Sequence, residues 1–259
     1  MQYRCEAVSV EGFIQQLAVA YVARGYLFYV TGRVPEHKDP ARVDAKLVAR
    51  YGIDLSKWAR ARRKQNGGAS VQYLRHGRFF VILATHGEHL FFTEEGANVR
   101  DARRDAIKYA GYSVGFRGRH VQVRIDLPRY RELKAWFEEH ATRRSVAALA
   151  AAFYELPFEP YALVRRQEFH ILRAVNRRRK AAGMPPVPNE CIWLKRRPVK
   201  PFGISRDAAL VSPTCERLAV EPEPSVEPDE LAPGSHIAMP PGTPISPGGR
   251  PRRSGLQTE

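Results

Sequence analysis

Arg166, His170, Arg173, Arg177 and Lys180 follow one another at spacings of four, three, four and three residues. On a helix that spacing lines them up on one continuous cationic face, because positions three and four apart sit one above the other. Arginines in such a row match the phosphates of a nucleic-acid backbone, which they hold by charge and by forked hydrogen bonds. The Arg178-Arg179 pair widens the face, and Lys195-Arg196-Arg197 follows beyond the helix. A second cluster, Lys57, Arg60, Arg62, Arg63 and Lys64, lies on a short helical stretch with Trp58 among the charges. An indole there either stacks on a base or anchors the short helix in the core. A solvated charged surface is the plain alternative for both clusters, though few acids accompany them.

Residues 112–125, YSVGFRGRHVQVRI, supply a third candidate. Read as a β-hairpin with Gly118-Arg119 as its two-residue turn, they pair Phe116 with Val121, Val114 with Val123 and Tyr112 with Ile125. One face is then apolar. The other carries Arg117, His120, Gln122 and Arg124, with Gly115 and Ser113 between them. Such a hairpin is half core and half binding surface. Two further histidines, His86 and His89, flank Gly87-Glu88. If those two residues form a hairpin turn, the imidazoles face each other across the strands and, with Glu88, begin a divalent-metal site.

The trio His120-Val121-Gln122 resembles the motif of HUH endonucleases, the rolling-circle replication initiators and single-tyrosine transposases. In that family a strand carrying His-hydrophobic-His, or His-hydrophobic-Gln in some viral initiators, holds a divalent metal. A tyrosine on a following helix attacks a DNA phosphate. The resemblance implies residues 119–125 as the motif strand, residues 26–32 as the opening strand and Tyr130 as the nucleophile, with Lys134 one turn on. Mg²⁺ or Mn²⁺ would polarise the scissile phosphate while the phenolate attacks it, leaving a 5′-phosphotyrosine. Tyr130 also shares an apolar stripe with Leu133 and Phe137, a place for a buried structural tyrosine, and Tyr154 is the fallback nucleophile.

The elements that must hold these groups are legible as punctuation. Ser9 reads as the cap of a helix carrying Phe13, Ile14, Leu17, Ala18 and Tyr21, stopped by Gly25. Residues 26–31 read as a strand. Asp39-Pro40 opens a second helix that Gly52 ends, and residues 56–65 form a third. A meander follows, in which residues 78–85 are apolar on both faces and belong mid-sheet, with residues 90–92 as its return strand. A polar loop or short helix spans 94–105, and residues 107–125 provide the last two strands. Helices follow Asp126 and Ser145, and a long one runs over 161–182 to Gly183.

Of the 42 Lys+Arg and 27 Asp+Glu, residues 204–259 hold five and eight, leaving 37 against 19 in the remainder. The part that folds is the basic part, which points to a polyanion as partner. Cys5, Cys191 and Cys215 lack paired spacing, which argues against a zinc ribbon or a disulfide framework. With no apolar run of membrane-spanning length and no signal-peptide order at the start, a cytoplasmic protein with no membrane partner is expected. Glycine-rich phosphate loops and HExxH are absent from the sequence.

The expected fold is α+β, a mainly antiparallel sheet of about five to six strands packed with helices. Residues 1–144 would form the sheet domain, 145–203 a basic helical extension packed on it, and 204–259 a disordered proline-rich tail. The function expected is nucleic-acid binding, with DNA favoured over RNA, in a bacterial mobile or replication-related element. The chain is also similar in overall look to uncharacterised proteins of bacterial mobile elements. An HUH-like nickase and a non-catalytic RNA-associated structural protein are the alternatives.

Overall fold

The computed structural model of the chain describes residues 3–195 and 199–202, so the expected tail over 204–259 and the cations Arg196 and Arg197 lie outside the described residues. Ser9 Oγ accepts the Gly12 N–H at 3.1 Å and opens helix α1 (Val10–Gln15). That helix runs on through a π-helical stretch (Gln16–Tyr21) and a 3-10 turn (Val22–Arg24) to Gly25, whose φ of 87° ends it. Strand β1 (Phe28–Arg33) comes next. Asp39 then caps helix α2 (Pro40–Arg50) through the Ala41 N–H, and Ser56 caps α3 (Lys57–Gln65). Strands β2 (Val71–His76) and β3 (Phe79–Ala84) precede helix α4 (Leu90–Glu95) and a short strand β4 (Arg100–Asp101). Strands β5 (Ile107–Tyr109), β6 (Tyr112–Arg117) and β7 (His120–Ile125) lead into helices α5 (Leu127–His140), α6 (Val146–Tyr154) and α7 (Ala162–Ala181).

The fold is α+β, but its strands form two antiparallel sheets instead of one. A four-stranded sheet has the order β2-β3-β1-β4, and a three-stranded sheet the order β5-β6-β7. As its two-faced apolar pattern requires, β3 is interior. Leu74, Val81, Leu83 and Tyr29 face one hydrophobic core, while Val71, Tyr73, Ile82 and Ala84 face a second on the other side. The extra division comes from residues 107–125, which make three strands and not two. Ala110 and Gly111, both at positive φ, form a tight turn between β5 and β6. An alanine is a weak turn signal, because its Cβ disfavours that conformation. Ala102 joins the sheets, donating its N–H to Leu27 O at 2.8 Å and accepting from Phe116 N–H at 2.9 Å.

The return strand expected at residues 90–92 is a helix. Both edges of β3 are already taken, by β2 and β1, so no strand can come back beside it. The chain after β3 instead docks on residues 67–69: Glu88 N–H donates to Gly67 O, and Glu88 O accepts from Ala69 N–H. The approach is so close that a side chain at Gly87 would sit 2.5 Å from Gly67 O, which explains the glycine.

The hairpin of residues 112–125 forms in the expected register. Tyr112 pairs with Ile125, Val114 with Val123, Phe116 with Val121 and Arg117 with His120. Gly118 and Arg119 take positive φ, as a tight two-residue turn demands. Its apolar face shares a core with Leu133 and Phe137 of α5 and with Val164, Ile171, Leu172 and Val175 of α7. The helices after residue 144 therefore complete the hairpin's core.

Two buried polar groups shape the interior. Asp44 on α2 is 8% exposed and accepts from Tyr73 Oη at 2.6 Å, Arg75 Nη2 at 2.9 Å and Cys5 Sγ at 3.4 Å, tying α2 and the N-terminal segment to β2. Burial and Asp44 push the Cys5 thiol up to about 12, so it stays a neutral donor. Glu168, on the inner side of α7, is 5% exposed, and burial raises its carboxyl to about 7 despite the nearby Arg165.

Asp44→Ala leaves Arg75 buried with only the exposed Glu6 as counterion. It should lower stability by about 3–5 kcal/mol, against under ~0.5 kcal/mol for the surface control Arg42→Ala. Urea midpoints decide this, and equal midpoints would refute it. For Glu168 the folded pKa lies above the ordinary 4.5, so its contribution is full below that pH and lost as pH rises to about 7. Wild-type stability should fall across that window relative to Glu168→Gln by on the order of 2–3 kcal/mol. Thermal melts at a series of pH values test it; parallel stability curves for the two proteins would show that Glu168 is not the group.

Candidate nucleic-acid interface

Helix α7 is long enough to present a row of cations because its sequence alternates two kinds of residue at helical spacing. The inner set, Val164, Glu168, Ile171, Leu172, Ala174, Val175 and Arg179, is buried. Arg166, His170, Arg173, Arg177 and Lys180 are all exposed. From Arg166 to Lys180 the row extends about 21 Å at 1.5 Å per residue. Two polar contacts with backbone fix the helix in place. Gln167 pairs with the outer edge of β7, its Oε1 accepting from Ile125 N–H at 2.8 Å and its Nε2 donating to Ile125 O at 3.0 Å. Arg179 donates to Pro185 O, Ala141 O and Arg144 O at 2.6, 2.7 and 3.0 Å. Arg179 is thus an inward pin and not part of the cationic face, as its pairing with Arg178 in the sequence suggests.

The polar face of the β6–β7 hairpin lies beside the Gln167 clamp. Arg117, His120 and Arg124 are exposed, and Arg124 Nη2 donates to Gln122 Oε1 at 2.8 Å. The clamp therefore fixes α7 against β7, with the exposed Arg124 and Arg166 each next in sequence to one of its halves. Helix α3 belongs with the four-stranded sheet's side of the molecule. Arg63 Nη1 meets His89 Nε2 at 3.2 Å, and Lys64 Nζ sits 5.0 Å over the Tyr26 ring. Trp58 is 81% exposed and so is no core anchor, because α3 lies on the surface with none of its residues buried.

Across these surfaces the charges share one property. Among the described residues, Lys57, Arg60, Arg62, Arg63, Lys64, Arg117, Arg124, Arg166, Arg173, Arg177 and Lys180 make no ion pair. The acids that do form surface ion pairs sit beside other cations, among them Glu94 on Arg50, Asp101 on Arg103, Glu132 on Arg129, Glu139 on Arg143, and Glu138 between Lys134 and Arg178. Surface pairs of that kind add little stability, but they remove charge from the field felt by a ligand. The three predicted surfaces keep theirs.

The metal and nucleophile candidates are arranged otherwise than the sequence suggests. His86 and His89 do not face each other across a hairpin, since the segment between them docks on residues 67–69. His89 caps α4, its Nδ1 accepting from Phe91 N–H at 3.0 Å, and burial followed by Arg63 lowers its pKa. With one nitrogen on an amide and the other against a guanidinium, His89 offers no free lone pair to a cation. Among the described residues no group of three or more His, Cys, Asp or Glu is placed to hold a metal. His120 and Gln122 stand on β7 as the HUH resemblance implies, but the implied opening strand β1 belongs to the other sheet.

Tyr130 is half-buried in the seam between α5 and α7. Its hydroxyl is hydrogen-bonded to His170 Nδ1, and no hydrogen bond links it to His120 or Gln122. Burial and then Glu138 raise its pKa, opposite to what a phenolate nucleophile needs at neutral pH. Tyr154 is exposed and stacked on Trp193 with ring centroids 4.5 Å apart. The Tyr130–His170 contact is a residue pairing that the sequence did not suggest, since a separation of forty positions carries no local signal. No helix among the described residues is long and apolar enough to cross a membrane. A comparison with protein-family models finds no match, and one with curated proteins finds no similar sequence.

Proposed function

We propose that the chain is a nucleic-acid-binding protein that grips phosphates with the outer face of α7 and the adjoining face of the β6–β7 hairpin, with DNA as the favoured polymer. The observation that carries this is the row itself: Arg166, His170, Arg173, Arg177 and Lys180 are all exposed on one face of α7, and its Arg and Lys make no ion pair among the described residues. A row of about 21 Å runs past about six phosphates of one strand at 3.4 Å per step, so several cations can be engaged at once. Arg166 and Arg124 stand next in sequence to the two halves of the Gln167–Ile125 clamp, which lets helix and hairpin act on one ligand. Strand nicking is left out of the proposal because the Tyr130 hydroxyl is committed to His170. A role in a bacterial mobile or replication-related element is consistent with binding of this kind and adds no chemistry to it.

Anisotropy titrations with labelled DNA across a salt series test the reading. Affinity of the wild type should fall steeply with salt. Arg173→Gln/Arg177→Gln should reduce the log–log slope by about two, roughly one for each phosphate contact removed. Salt-independent binding, or a slope unchanged in the double variant, would sink it.

A further inference from the structure

Helix α3 combines three features that no other described part of the molecule unites. It carries Lys57, Arg60, Arg62, Arg63 and Lys64 with no acid on the helix and no ion pair. Trp58 stands among them at 81% exposure, with no ring stacking and no hydrogen bond among the described residues. A shallow groove of about 370 Å³ runs along the helix, lined by Leu55, Ala59, Arg62, Arg63, Asn66 and Gly68. At 100° per residue Trp58 projects about 40° from Arg62, which lines the groove.

We infer that α3 is a binding site for an unpaired nucleotide, in which the base stacks on Trp58 and the adjoining phosphate is held by Arg62 and its neighbouring cations. This rests on the nucleic-acid reading above and narrows it to single-stranded polymer at α3. An indole left fully wet costs free energy that a soluble surface normally avoids, and its flat face is indifferent to sequence. A duplex hides its base faces inside the stack, whereas an unpaired base offers a whole π-face to the ring. Cations around the ring supply what a stacked nucleotide needs beside the base, a partner for its phosphate. Lys64 is the least free of them, since burial followed by Arg60 lowers its pKa and its ammonium lies over Tyr26. Arg63 is also partly engaged, by His89. Arg60 is tied to Leu55 O, which leaves Lys57 and Arg62 nearest the ring in sequence and without a partner among the described residues. A protein partner would have to be acidic and to seat an indole, and the groove along the helix is too shallow to define a matching knob.

The experiment compares full-length wild type, Trp58→Ala and Trp58→Phe by anisotropy on a labelled mixed-sequence DNA single strand, the same sequence as RNA, and the blunt DNA duplex. Because Trp58 is exposed, the variants should keep the wild-type melting temperature. Trp58→Ala should weaken single-strand binding by about tenfold, within the range for loss of one base–aromatic stack, leave duplex affinity within about twofold, and be largely rescued by Phe. The ratio of the DNA and RNA arms says which single strand the site takes. An equal loss on strand and duplex, or no loss on either, overturns the stacking site and leaves Trp58 to a protein partner, while the α7 reading survives. If the wild type binds neither strand nor duplex in a salt-sensitive way, the parent reading falls with it.

Discussion

Arg179 takes a full positive charge into the interior with no carboxylate to meet it, and the placement of α7 depends on how that charge is satisfied. Its guanidinium is 1% exposed and bonded to the carbonyls of Ala141, Arg144 and Pro185. Ala141 is the C-cap of α5 and Arg144 follows just beyond it, where a helix leaves carbonyls unpaired and carries the negative end of its dipole. The counter-charge is thus the end of another helix. A forked, always-charged group is suited to several divergent carbonyls at once, and an ammonium in the same place would reach fewer of them. At the other end Gln167 pairs with the free edge of β7, supplying the donor and acceptor that a neighbouring strand would have given. Between these pins, Tyr130 meets His170 and Glu138 meets Arg178, a step of eight residues on each helix, so α5 and α7 run parallel.

Fixing α7 in this way decides which of its cations face outward. Rotation of the helix by one position, each residue taking the place of the one before it, would bury Arg173 and Lys180 and expose Ile171, at a cost of about 1.5–3 kcal/mol for each large apolar side chain returned to water. The outward row is therefore rigid in rotation as well as in length. Rigidity matters for a phosphate-binding surface, because cations already in line lose less freedom on binding than cations on a mobile tail. The distribution of acids completes the picture. Glu138 and Glu139 on α5 neutralise Lys134, Arg178 and Arg143, which lie to the side of the row, and leave the row itself charged.

How much of this the sequence disclosed depended on how local the cause was. The hairpin register followed from alternation and a Gly118-Arg119 turn, and the caps at Ser9, Asp39, Ser56 and Ser145 followed from side chains that bond amides two or three residues on. The α7 face was legible because helical spacing sorts its residues without reference to anything else. The failures have non-local causes. Leu90-Phe91-Phe92 has strand-like composition, but pairing there was forbidden by β1, which occupies the edge of β3 from fifty residues earlier. Trp58 looked like an anchor because tryptophan usually is one, and only the position of α3 outside both cores exposes it. Arg179 is chemically identical to Arg178 beside it, and its burial is set by the end of α5. The third strand of residues 107–125 was missed at the Ala110-Gly111 turn, where the positive-φ residue ahead of the glycine is an alanine.

Helix α3 shows the opposite balance from α7. It contributes nothing buried, and its hold on the body comes from the Ser56 cap, the Arg60 bond to Leu55 O, the Arg63–His89 contact and Lys64 over Tyr26. Within it Arg60 faces Lys64 four residues on and Arg63 three on, like charges that each cost an isolated helix about 0.2–0.5 kcal/mol. Among the described residues no acid pairs with these side chains to offset that repulsion. A polyanion laid along the helix would remove it, and would bind the ordered helix better than a frayed one, so binding and local folding would reinforce each other by mass action. Stability alone would favour acids interspersed at these positions and a polar residue in place of Trp58. Neither is present, and the segment that gains least from the fold is the one whose side chains are best suited to a ligand.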